Sequence, residues 1–131
     1  MAADVADDDS VGALLEAARD ALAGVLTLPR SQGPRVAALL ARRALEELVD
    51  DAVDGRAPGA REASMRVKLL CLTVLDPDVG HRASWAWHAL SESCHQHAYE
   101  LDPAPVEVAE LVGQVERLAT GGAAAESALP G

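Results

Sequence analysis

The sequence predicts an all-α fold, an up-and-down bundle of four to five antiparallel helices. Three observations carry that expectation. Half of the 131 residues are apolar, yet there is no Phe, one Tyr and two Trp. The core must then be built from Ala, Leu and Val, which suits close-packed helices better than strands, where aromatic and β-branched residues dominate. Apolar residues recur at i, i+3, i+4 spacing between Pro, Gly and Asp punctuation. The connections are short, which makes successive helices antiparallel neighbours.

The first helix is expected to open at Ser10 as N-cap and to carry Leu14, Leu15, Ala18, Leu22 and Val25, with Pro29 ending it. In the second, Ser31 or Gln32 turns the chain, Pro34 sits in the first turn, and Ala37, Ala41, Ala44, Leu45, Leu48 and Ala52 form the apolar face before Gly55 and Pro58. The third, over 60–74, is apolar almost all round through Met65, Leu69, Leu70, Leu72 and Val74. It is expected to be the central, most buried helix. Asp76, Pro77 and Asp78 read as a stop and a cap, opening a fourth helix over 79–99. Asp102 to Pro105 repeat that punctuation before a fifth, with Val106, Val108, Leu111, Val112, Val115 and Leu118. Residues 1–9 and 121–131 lack periodicity and read as disordered ends around a single domain over 10–120.

The charge balance narrows the function classes. The net charge is −10, with Lys68 the only lysine and no basic cluster beyond Arg42 and Arg43. Non-specific nucleic-acid binding needs a basic face and is not expected. Residues 1–9 show no secretory pattern and the longest aliphatic run, over 69–75, is short, so neither a secretory leader nor a membrane span is expected, and Cys71 and Cys94 lie inside helical patterns. The expectation is a cytoplasmic protein with reduced thiols, no cofactor, and a protein partner or self-association.

The fourth helix holds the residues with most chemistry. Ala83, Trp87, Leu90, Cys94, His97 and Leu101 follow a core seam, whereas Trp85, His88, Glu92, His95 and Tyr99 form a second stripe on another side and are the candidate binding surface. His88, Glu92 and His95 have spacing compatible with a metal, and Glu92 with His95 forms a Glu-x-x-His element. Di-metal bundle sites need a second such element, which is missing from this sequence. Glu46, Glu47, Asp50, Asp51 and Asp54 form an acidic face on the second helix, with like charges at i, i+4 only partly offset by Arg42 and Arg43. That face reads as a solvated surface or as a docking surface for a basic partner. Adjacent helical residues point about 100° apart, so Cys94 and His95 are not a nucleophile–base pair.

Three elements together resemble HEPN-like helical-bundle domains over 34–118. They are Ala44-Leu45-Glu46-Glu47 on one helix, Cys94-His95-Gln96-His97 at the end of the penultimate helix, and Pro105-Val106-Glu107-Val108 opening the last. Members of that family that act as metal-independent ribonucleases carry Arg, four to six residues, then His, commonly with Asn after the Arg. With His97 as that histidine, the arginine position falls on Leu90, Ser91 or Glu92, so the cation is missing in that register. Arg82 and His88 satisfy the spacing, with Ala83 where Asn is usual. The resemblance therefore implies a non-catalytic domain acting in protein–protein interaction, as a homodimer or with another chain. The alternatives are a metal-independent ribonuclease, toxin or defence related, using Arg82 with His88 or His97 at a dimer interface, and a bundle that binds a metal or small ligand.

Overall fold

The computed structural model describes the backbone over 2–29, 32–57, 59–94 and 103–128, and side chains within 10–121 of these. It is an all-α bundle of five helices, α1 (Ala2–Ala23), α2 (Gly33–Asp54), α3 (Met65–Leu75), α4 (Pro77–Cys94) and α5 (Pro105–Ala128), with a 3-10 turn at Ala60–Glu62 and no strand among the described residues. None of these helices is long and apolar enough to cross a membrane.

The central helix is α2. It packs against all four others, whereas α3 meets only α2 and α4 among the helices. On α2, Ala37, Ala38, Ala41, Ala44, Leu45, Val49 and Val53 are buried. At 100° per residue they cover an arc of roughly 180°. Most of them are alanines, whose short side chains let neighbouring helices approach closely. Expecting α3 at the centre was wrong for a physical reason. Only Lys68, Leu69 and Leu72 of α3 are buried, and Val67, Leu70, Val74 and Leu75 are exposed.

The helix ends follow local chemistry. Ser10 lies inside α1 rather than capping it, and its hydroxyl donates to Glu47 Oε2 on α2 at 2.6 Å. The other end of α1 comes a turn before Pro29, at Gly24, whose φ of 75° is a left-handed conformation that favours glycine. The Val25 N–H donates to Asp20 O at 3.0 Å and the Gly24 N–H to Ala21 O at 3.4 Å, closing the helix with two bonds, and Val25 is exposed beyond it. The chain then re-enters at Gly33, where a Cβ would lie 2.7 Å from Ala21 O, so the α1–α2 corner admits no side chain. Pro34 stands in the first turn of α2 and Gly55 is its C-cap.

The third helix starts later than its periodicity implies, at Met65, because the Ser64 hydroxyl accepts from Val67 N at 3.3 Å. Its follower starts earlier, at Pro77, with Asp76 Oδ1 accepting from Val79 N at 3.3 Å and proline in a position that needs no N–H. At Gly80 a Cβ would lie 2.3 Å from Thr73 Cα, so α3 and α4 touch backbone to backbone. Helix α5 buries Val108, Leu111, Val112 and Val115 against the bundle. The helical backbone of α1 reaches back to Ala2 and that of α5 on to Ala128, through the end segments rich in alanine, the strongest helix former.

Candidate functional site

The two faces of α4 are separated as its sequence spacing implies. Ala83, Ala86 and Leu90 are buried. Trp85 is 58% exposed, and His88 and Glu92 are exposed beside it on the outer side. His95 and Tyr99 of the same stripe, and His97, lie outside the described residues.

Trp87 marks the border of the core rather than filling it. Its half-buried indole donates from Nε1 to Glu46 Oε2 at 3.4 Å, and the His88 ring meets it edge-on at 5.5 Å between centroids. The Arg42 guanidinium lies over the indole at 5.2 Å and pairs with Glu46 Oε2 at 3.4 Å. One oxygen of α2 thus holds both a ring of α4 and the cation above it. Further along, burial pushes the Cys94 thiol above its ordinary pKa, and the positive charges of Arg42 and Arg35 offset only part of that. The contacts 46 to 87 and 42 to 94 run in opposite directions along the two helices, so α2 and α4 are antiparallel.

Arg82 pairs with Asp78 Oδ2 at 3.5 Å, one turn back on its own helix. His88 lies six residues further, about 9 Å along the axis and about 120° around it. No group of three or more His, Cys, Asp or Glu that could hold a metal occurs among the described residues, where His88 and Glu92 stand exposed.

The carboxylates of α2 do not share one solvated face. Glu47 accepts from Ser10 of α1 and lies 3.7 Å from Arg43, while Glu46 faces Trp87 of α4. Asp50 meets the Lys68 ammonium of α3 at 2.5 Å. Asp54 meets Arg61 of the 3-10 turn at 3.4 Å, and Asp51 lines a groove between α1, α2 and α5. Four of the five reach toward different neighbours because α2 is central, and their ionic partners come from within the chain. Elsewhere Arg19 of α1 clamps Glu116 of α5 through Nη2 to Oε1 at 2.6 Å, and that hydrogen bond holds the Glu116 carboxyl below its usual pKa range.

An apolar stripe is left open on α3. Val67, Leu70, Cys71 and Val74 stand at i, i+3, i+4 and i+7 on its outer side, with Val67 46%, Leu70 62% and Val74 83% exposed and Cys71 half-buried. A groove of ≈ 310 Å³ beside the stripe is lined by Ala57, Leu70, Cys71, Val74 and Leu75. The signal was in the sequence: an 11-residue helix with two apolar stripes has one more than a single core needs. Comparison of this chain with family models, with curated proteins and with solved structures gives no match.

Proposed function

We propose that this chain is a non-catalytic helical interaction domain, of the kind the HEPN-like resemblance implies, and that it binds protein through the outer face of α3. The reading rests on one observation. Val67, Leu70 and Val74 face away from the bundle, with half-buried Cys71 at the inner edge of their stripe, although Leu69 and Leu72 already give α3 its share of the core. Contiguous apolar surface left open in this way marks an interaction site. The exposed Trp85 and His88 of α4 give a second, smaller contact surface with an aromatic anchor. The reading fits a protein of the cytoplasm, with Cys71 and Cys94 reduced.

The test is a denaturation experiment on the full chain at sub-micromolar concentration, comparing wild type with the Leu70→Gln/Val74→Gln double variant. A surface kept for a partner contributes little to the fold of one chain, so the midpoint should shift by less than about 0.5 kcal/mol per site. A loss of several kcal/mol would mean that the chain covers this face itself, and the reading fails. RNA cleavage by the wild type that disappears in His88→Ala would overturn its non-catalytic part.

A further inference from the structure

We infer that the outer face of α3 is covered by a second copy of this chain, its α3 packed antiparallel across a two-fold axis that passes between Leu70 and Cys71. This rests on the reading of α3 as an interaction face and names what occupies it.

The stripe is its own complement. Reversing the helix direction about a point midway between residues 70 and 71 lays Val67 on Val74 and Leu70 on Cys71, so every apolar position of one copy meets an apolar position of the other. A two-fold interface requires that property, because the same patch must serve both partners. Leu70, Cys71, Val74 and Leu75 line the groove over the C-terminal half of α3. In the reversed register Val74 faces Val67 and Cys71 faces Leu70 of the second copy, while Leu75 at the end of the groove lies against the aliphatic stem of Arg66.

Charge selects the antiparallel direction. Exposed Arg66 stands at the N-terminal end of α3, and exposed Asp76 and Asp78 follow its C-terminal end. Antiparallel packing sets Arg66 one residue out of step with Asp76 of the second copy, twice per dimer by symmetry. Parallel packing sets Arg66 on Arg66 and Asp76 on Asp76. Helix dipoles act in the same sense, since the positive N-terminus of each α3 meets the negative C-terminus of the other. A uniformly basic or acidic partner matches this surface less well than a helix with the reverse charge order, which α3 itself supplies.

The contact is small. An 11-residue helix spans about 16 Å. A pair of such helices falls at the low end of specific interfaces, where dissociation constants are on the order of micromolar. The dimer is thus expected to be concentration-dependent.

Sedimentation equilibrium of the reduced full chain from about 1 to 200 μM spans that range. The mass should rise from 13.6 kDa toward twice that value, and Leu70→Gln/Val74→Gln should remain monomeric. Arg66→Glu turns two attractions into repulsions and should weaken the dimer about tenfold. In a Cys94→Ser variant, where Cys71 is the remaining thiol, copper phenanthroline should produce a disulfide-linked dimer that the added Leu70→Gln/Val74→Gln pair abolishes. A wild type that stays monomeric, with the double variant unchanged in stability at dilution, overturns the second copy and leaves the interaction face standing. A double variant that loses stability at dilution takes both readings down. A dimer unaffected by Arg66→Glu overturns the antiparallel register.

Discussion

Helices α2 and α3 place charge and apolar surface in opposite ways. Five carboxylates and three arginines punctuate α2, yet it is the helix around which the others pack. Its carboxylates reach Ser10, Arg61, Lys68 and Trp87 on four other elements. By contrast α3 is almost wholly apolar, yet it sits at the margin with one apolar side outward. Centrality in a bundle is set by how closely neighbours can approach, which favours small side chains, and not by how hydrophobic a helix is on average. Surplus apolar surface on a marginal helix is then left for another molecule.

The contact that most depends on close approach holds α3 to the bundle. Gly80→Ala would set a methyl group 2.3 Å from Thr73 Cα. Backbone there cannot swing aside as a side chain can, so a loss of at least about 3 kcal/mol is expected in urea denaturation. A full-stability variant would mean that α3 and α4 are not seated backbone to backbone. Next in size, the two sides of α3 can be set against each other with one residue type. Leu72 is 4% exposed and Leu70 62% exposed, two positions apart. Leu72→Ala should destabilise the dilute chain by about 2–4 kcal/mol, and Leu70→Ala by less than about 0.5 kcal/mol. Equal losses would erase the distinction between an inner and an outer face.

Much of the fold was legible in the sequence, and the reasons mark where legibility stops. Pro34, the Ala and Leu face of α2, the stop at Asp76 and Pro77, and the separation of Leu90 from His88 on α4 are all local patterns that a helix must obey. The rank order of burial among helices is not local, and α3 was misplaced for that reason. Gly24 and Ser64 were missed as end signals because stronger punctuation, Pro29 and Pro58, stood nearby. The candidate site was legible in part. The outer position of Trp85, His88 and Glu92 follows from spacing alone, but the destinations of Glu46, Glu47, Asp50 and Asp54 required the neighbours in three dimensions.

The ion pair between the two contrasted helices tests whether the charges of α2 serve its central place. Lys68 is buried, and its ammonium forms an ion pair with Asp50 Oδ1. Asp50→Ala leaves that ammonium buried and alone, which should cost about 2 kcal/mol, below the range for fully buried pairs because Asp50 keeps some solvent. Adding Lys68→Met should restore most of the loss, since the thioether chain fills the same channel without a charge. A double variant no better than Asp50→Ala would assign the effect to lost packing rather than to the charge.

The smallest expected effect lies away from both helices, at the clamp between α1 and α5. Its hydrogen bond from Arg19 holds the Glu116 carboxyl below the ordinary carboxylate range. A carboxyl whose folded pKa is depressed contributes stability that is fully present above the unfolded value and is lost as pH falls through the lower folded one. Both side chains are more than a third exposed, so solvent screening keeps the contribution within about 0.5 kcal/mol. Stability of wild type minus Glu116→Gln, followed by urea denaturation, should therefore be constant from neutral pH down to the ordinary carboxylate range. It should shrink toward zero below that range, and also fall with added salt. A difference that persists in strong acid would place the role of Glu116 in packing between α1 and α5 rather than in its charge, and the ionic clamp would then count for as little as the outer leucine of α3.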